Sequence, residues 1–334
     1  MSKPTVEQGY AQACLEYKNG NHGQAEVLCR QILRSVPTHR DTLLLMAILA
    51  QRGGKTAAGD DWFRQAADSS EFSITIHNKL DARPRWAPHP KISLMLEAGL
   101  DRYAQLLQTF EPFLPWLEKI NFDADPRRPR EPHWNNIWMP VLDAVALYCQ
   151  VAIKRPRYFV EIGSGNSTRF VARAIADHKL DTKIISIDPQ PRAEIDALCH
   201  EVLRKPLEDC SLDVFNTLDS RDIVFADNSH QAFMNSDVTV FFCEVMPALA
   251  QGVTVGIHDI FLPDDYPEEW VGRYYSEQYL LACYLLVEKR GFEVTLPVFF
   301  AAGRGCGGAL MSRIRSRSED PVWRTGSSFW LEMH

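Results

Sequence analysis

From residue 157 to about 315 the chain alternates short apolar strands with amphipathic helices, and no other feature restricts its fold as much. Strands are read at 158–162, 183–188, 199–205, 222–226, 253–257, 292–300 and 308–314, with helices over about 166–178, 236–250 and 269–289. Strands separated by helices at this spacing build βαβ units. The expected fold is therefore α/β, a Rossmann-like doubly wound sheet. Ligands of such sheets bind outside the carboxyl ends of the strands.

The first strand runs into Glu161-Ile162-Gly163-Ser164-Gly165-Asn166-Ser167-Thr168 and then into a helix. Gly163 and Gly165 permit a tight turn and close backbone approach to a ligand, and Ser167 or Thr168 can cap the helix. Asp188 ends the second strand 27 residues after Glu161, where a carboxylate can grip both hydroxyls of a ribose. A dinucleotide-binding turn would carry its third glycine at position 168, for helix–strand packing under a pyrophosphate; Thr168 stands there. The acid two residues before the first glycine resembles instead the first motif of class I S-adenosylmethionine-dependent methyltransferases. The stretch is most like the branch called methyltransferase family 24. That resemblance implies S-adenosylmethionine as cofactor, with Glu161, Gly163, Ser164, Gly165, Asn166 and Ser167 lining the turn around its methionyl part. Asp188 would hold the ribose, and Asp227 would border the methyl sulfonium.

Two further strand ends carry chemistry. Asp227-Asn228-Ser229-His230 follows the fourth strand and His258-Asp259-Ile260-Phe261-Leu262-Pro263 the fifth. In divalent-metal enzymes resembling catechol O-methyltransferase, acidic or amide residues at these ends ligate Mg²⁺; Asp227, His258 and Asp259 occupy the matching positions. His258 departs from the all-oxygen shell that Mg²⁺ prefers and leaves room for Mn²⁺, Fe²⁺ or Zn²⁺. The same residues also suit a metal-free acid/base cluster, in which His258, Asp259 and His230 are the catalytic candidates. The aromatic, acidic stretch from Pro263 to Tyr279 is read as a lid over the strand ends, the alternative being a helix that only packs on the sheet.

Residues 5–70 are helical and self-similar. A shift of 34 residues maps Ala13 onto Ala47, Gly20 onto Gly54 and Leu28 onto Trp62, the period of tetratricopeptide-like helix–turn–helix repeats. Gln51 for Tyr17 and Gly59 for Ala25 depart from the pattern. The organisation read from the chain is an all-α tetratricopeptide-like domain over 1–75, a helical connector over 76–156 and the methyltransferase domain over 157–334. The connector carries a helical run near 92–120 and a helix near 139–153, and Trp134 and Trp138 are read as packing residues. A pair of repeats either recruits a protein partner or simply docks on the rest of the chain.

The net charge is −7 and the basic runs are short and scattered, which argues against a nucleic-acid partner. No segment reaches the ~18–20 apolar residues of a membrane span, and the N-terminus lacks the apolar core of a signal peptide. Eight cysteines without a C-x-x-C pair fit a reduced, cytoplasmic protein. The leading expectation is methyl transfer from S-adenosylmethionine to a hydroxyl of a sugar or small metabolite. The alternatives are a cofactor-binding scaffold that recruits a partner through its repeats, and a metal-dependent oxygenase or hydrolase using the His/Asp cluster.

Overall fold

The structure, a computed structural model, describes residues 5–53, 56–68, 88–136, 138–191, 194–287, 291–307, 310, 313 and 326–334. These fall into two compact units.

The first unit holds α1 (Val6–Lys18), α2 (His22–Ser35), α3 (Arg40–Arg52) and α4 (Thr56–Asp68), together with Glu268–Arg273. Helices α3 and α4 begin 34 residues after α1 and α2 respectively. Thr5 opens α1 with a capping box to Gln8, which satisfies end N–H groups that the helix leaves unpaired. Ala13, Ala25, Cys29, Leu45, Met46 and Leu49 form the unit's own core. The two departures from the repeat meet in space: a Cβ on Gly59 would stand 2.9 Å from Gln51 Cγ. The glycine accommodates the longer side chain where α3 and α4 approach.

The second unit is built around a seven-stranded sheet of order β3-β2-β1-β4-β5-β7-β6. Strands β1 (Tyr158–Ile162), β2 (Lys183–Ile187), β3 (Glu201–Leu203), β4 (Ile223–Ala226) and β5 (Thr254–Ile257) are parallel; β7 (Phe329–Met333) runs antiparallel between β5 and β6 (Phe292–Pro297). Around it lie α5 (Pro90–Glu97), α6 (Leu100–Gln108), α7 (Leu114–Leu117), α8 (Val141–Lys154), α9 (Asn166–His178), α10 (Asp213–Asn216), α11 (Asp237–Val240), α12 (Met246–Ala248), α13 (Glu277–Leu286) and α14 (Val298–Gly303). Nearly every residue of the central strands is buried, as expected for parallel strands covered on both faces. The helices read as a connector share this core: Leu96, Leu107, Leu117 and the whole inner length of α8 pack in one cluster with the strands.

Several element boundaries differ from the sequence expectation, each for a local reason. The run near 92–120 is broken at Gly99 and by Pro112 and Pro115 into α5, α6, a 3₁₀ turn and α7, since proline removes a helical donor. The helix expected over 236–250 widens into a π turn at Phe241–Val245, immediately before Pro247. The helix expected over 269–289 is split, with a 3₁₀ segment at Glu268–Arg273, left-handed backbone at Tyr274 (φ 58°), and only then α13. The strand expected over 292–300 stops at Pro297 and becomes α14. The strand expected over 308–314 falls largely outside the described residues, and the last strand is Phe329–Met333. Among the described residues no helix is long and apolar enough to cross a membrane.

Helices α8 and α9 are joined by a part-buried polar contact. The Tyr148 hydroxyl donates to Asp177 Oδ2 at 2.8 Å and lies 3.0 Å from His178 Nε2, while Arg173 bridges Asp177 and Glu131. Tyr148→Phe should lower unfolding free energy by about 1 kcal/mol, the usual net worth of one such bond, with little change in urea m-value. A chemical denaturation curve checks it.

Candidate active site

Strand register aligns the site. Ile162 pairs with Ile187 and with Ala226, and Ala226 pairs with Ile257. The next residues, Gly163, Asp188, Asp227 and His258, therefore leave the sheet side by side. Three backbone bonds lock that alignment: Gly163 N–H to the Ile187 carbonyl, Asp227 N–H to that of Ile162 and His258 N–H to that of Ala226. Strand β1, between β2 and β4, is where the strand order reverses, the place where open α/β sheets bind ligands.

Gly163 adopts φ 77°, and a Cβ there would stand 1.8 Å from the Asp227 carbonyl oxygen, so no other residue fits. Glu161 is fully buried and does not reach the turn's open side. Its carboxyl accepts from the Ser167 hydroxyl at 2.6 Å and from the Thr168 hydroxyl at 2.5 Å, pinning the first turn of α9 to β1. Burial pushes the Glu161 carboxyl up to about 8 against the opposing pull of those two hydroxyls. Both Glu161 and the Ser167 side chain thus hold the shape of the turn, a correction to the expectation that Glu161 lines a cofactor. Thr168, which replaces a dinucleotide-type glycine, also accepts the Gly165 N–H at 3.1 Å. Asp188 takes Ser164 N–H at 2.7 Å and Ser164 Oγ at 3.0 Å on Oδ2, and Gln190 N–H at 2.7 Å on Oδ1.

A small cleft opens along this turn, lined by Ser164, Gly165, Asn166, Ser167, Asp227, Trp138 and Met139. Asn136 Oδ1 accepts Trp138 N–H, Met139 N–H and Asn166 Nδ2–H, and so ties the opposite wall to the turn. Trp134 packs on Phe170, with ring centroids 5.3 Å apart, as expected. Trp138 was expected only to pack and instead faces the cleft. Nothing in its local pattern distinguishes it from Trp134.

Asp227 is also one wall of a second, buried group. His230, 2% exposed, lies with Nδ1 2.8 Å from Glu277 Oε2 on α13, and with Nε2 3.3 Å from Asp227 Oδ1 and 3.5 Å from Asp259 Oδ2. Tyr275 covers its ring at 4.5 Å. His258 Nε2 faces Asp143 Oδ2 of α8 at 3.2 Å, and its Nδ1 stands 3.3 Å from Asp227 Oδ1 and 3.4 Å from Asp259 Oδ1. Asp143 further accepts the N–H groups of Ser327 and Ser328, and Ser327 Oγ donates to Asp259. His230 and Asp259 both hold left-handed backbone, φ 59° and 56°. Such conformations cost about 1–3 kcal/mol and persist where surrounding structure enforces them.

Sequence reasoning grouped Asp227, His258 and Asp259 as metal ligands. The three residues whose ligand atoms converge most closely, within 4.8 Å of one another, are Asp227, His230 and Asp259. His258 is drawn aside because its Nε2 is held by Asp143. Glu277 and Asp143, which orient the two rings, lie on helices far from the motifs and gave no signal. Burial disfavours charge on both imidazoles, but Asp259, Asp227 and Asp143 around His258, and Tyr275, Asp227, Glu277 and Asp259 around His230, hold both well above the ordinary histidine range. Burial likewise opposes charge on Asp227, yet His258 and His230 hold it well below the ordinary carboxylate range. In the expected lid, Tyr266 OH accepts the Gln278 backbone N–H and Gln278 Oε1 accepts the Phe261 N–H, so these residues knit α13 to the loop after β5.

Residues 160–260 match a family model described as a methyltransferase domain, that of family 24. A search of curated proteins finds no match. Among solved structures, an SAH-bound methyltransferase from Podospora anserina, PaMTH1, is 13% identical over 79% of this chain and 99% of its own, with a TM-score of 0.35. A mutant O-GlcNAc transferase from Thermobaculum terrenum is 14% identical over 67% of this chain and 46% of its own, with a TM-score of 0.20. Likenesses this low carry no weight; the family match and the glycine turn on β1 do. Residues 160–260, which begin in β1 and include the glycine turn, are thus similar to a methyltransferase domain.

Proposed function

We propose that the chain transfers the methyl group of S-adenosylmethionine to a hydroxyl of a sugar or small metabolite. The observation that carries this reading is Asp227, which lines the cleft beside the glycine turn and also borders the His/Asp group. Cofactor and reaction centre thus share a wall. In the proposed arrangement the backbone of Ser164 and Gly165 approaches the methionyl part, and Asn166 and Trp138 bound it. Asp188 accepts from the ribose hydroxyls, its two oxygens already positioned by Ser164 and Gln190.

Transfer is an in-line displacement. The acceptor oxygen forms the new bond to the methyl carbon, the carbon–sulfur bond breaks with its electron pair on sulfur, and S-adenosylhomocysteine leaves. The hydroxyl proton passes to a carboxylate of the cluster, Asp227 or Asp259, held in place by His230 and His258, so that the cluster beside the methyl group supplies orientation as well as a proton acceptor. A hydroxyl needs such help more than an amine does, which supports oxygen as the acceptor atom. The repeat spacing of α1–α4 supports a further role for that unit in recruiting a protein partner.

Calorimetric titration tests the cofactor assignment. S-adenosylhomocysteine is expected to bind with a dissociation constant on the order of micromolar, and NAD not at all. Binding of NAD with no response to the adenosyl ligand overturns the proposal.

A further inference from the structure

The magnesium ion that the resemblance implies does not fit the residues at the ends of β4 and β5. Mg²⁺ demands a near-octahedral shell of oxygens and retains its water. Here the His230 imidazole converges with the carboxylates of Asp227 and Asp259, and His258 Nδ1 stands 3.3 and 3.4 Å from the same two; Asp227 is half-buried and the other three are buried.

The spacing of these groups does not match that of ordinary hydrogen bonds. Charge-assisted N–H···O contacts close to about 2.7–2.9 Å, as His230 Nδ1 does with Glu277 at 2.8 Å. On the other side of the rings the four nitrogen–oxygen distances run from 3.3 to 3.5 Å. His258 Nδ1, in a residue 2% exposed, makes no hydrogen bond and is aimed between the two carboxylates. Atoms bound to one ion at about 2.0–2.2 Å stand roughly 3.0–3.5 Å apart when they occupy neighbouring positions of a tetrahedral or octahedral shell. All four distances fall in that range. Behind each ring a buried carboxylate, Glu277 or Asp143, takes the other nitrogen. That is the device that fixes an imidazole's tautomer and turns its lone pair toward a metal.

We propose that Asp227, His230 and Asp259, beside which His258 Nδ1 faces the same two carboxylates, bind one first-row divalent ion of the manganese-to-zinc series in preference to Mg²⁺. The inference deepens the methyl-transfer reading by naming the ion of the same site. Nitrogen ligation sets the selectivity, because imidazole suits these ions. Glu277 is a positioning residue that acts through His230.

The experiment is metal binding by the full-length chain after chelator treatment, without any turnover assay. Titration with Co²⁺ should develop visible absorption of nitrogen–oxygen ligation, and competition should place Co²⁺, Mn²⁺ or Zn²⁺ at least about 100-fold tighter than Mg²⁺. His230→Gln should weaken Co²⁺ binding on the order of 100-fold and alter the spectrum, and Glu277→Gln about tenfold with the spectrum kept. Circular dichroism and S-adenosylhomocysteine binding report whether each variant is folded, and the wild-type selectivity decides the matter if a variant is not. Equal affinity for Mg²⁺ and Co²⁺, no binding of either, or a spectrum indifferent to His230→Gln in a folded variant overturns the inference. A chain that binds S-adenosylhomocysteine but no metal overturns this inference alone; one that binds Co²⁺ but not S-adenosylhomocysteine overturns the methyl-transfer reading alone.

Discussion

Asp259→Ala should lower kcat by about 10³-fold or more while leaving the dissociation constant of S-adenosylhomocysteine within about threefold. Asp259 does not line the cleft, so the adenosyl ligand should not register its loss. The carboxylate does face both imidazoles, at 3.5 Å from His230 Nε2 and 3.4 Å from His258 Nδ1. Its removal takes one of two negative charges from the place where the hydroxyl proton must be accepted, and frees Ser327 Oγ. His258→Ala should behave in the same way, because its Nδ1 points into the same space. The measurement is initial-rate methyl transfer on an acceptor found by screening hydroxyl compounds for S-adenosylhomocysteine release, alongside calorimetry of the product. Full turnover in both variants would make the cluster structural and the proposed mechanism wrong.

Asp188→Ala should weaken S-adenosylhomocysteine binding by about 1–3 kcal/mol, or roughly 5- to 150-fold. Two losses combine. A ribose hydroxyl pair loses a charged acceptor, and the glycine turn loses the carboxylate that collects Ser164 N–H and Oγ. Asp188→Asn, which keeps an acceptor oxygen for Ser164, should fall between the variant and the wild type. A titration in which the alanine variant binds within twofold of wild type would remove Asp188 from the cofactor site.

The sheet and the glycine turn were legible because both rest on local patterns. Apolar strands, intervening helices and two glycines after β1 are short-range signals, and strand register then carries Asp188, Asp227 and His258 to the same level without further information. The candidate reaction centre was legible only in part. Asp227, His258, Asp259 and His230 sit on strand ends, but the division of labour between the two histidines depends on Glu277 and Asp143, which come from helices 47 and 115 residues away from their partners. Trp138 and Asn136 were missed for a similar reason: they precede β1 in an irregular loop whose periodicity says nothing about what it faces. Glu161 misled because a motif position does not say whether a side chain touches the ligand or the turn around it. The final strand lay beyond the stretch that resembled the family, so its pairing with β5 was not foreseen.

That late strand ties the His/Asp cluster to the folding of the whole sheet. The backbone entering β7 hands two N–H groups to Asp143 across 184 and 185 residues, and Asp143 in turn holds His258 across 115. Closing loops of that length is entropically demanding and is deferred until nearer contacts have formed. The centre is therefore among the last parts of the molecule to assemble and has no independent route to its geometry. Any opening that detaches β7 from β5 releases His258 and Asp259 together. Thermal inactivation should then coincide with the cooperative melting of the sheet, with no interval in which a partly unfolded chain still turns over substrate.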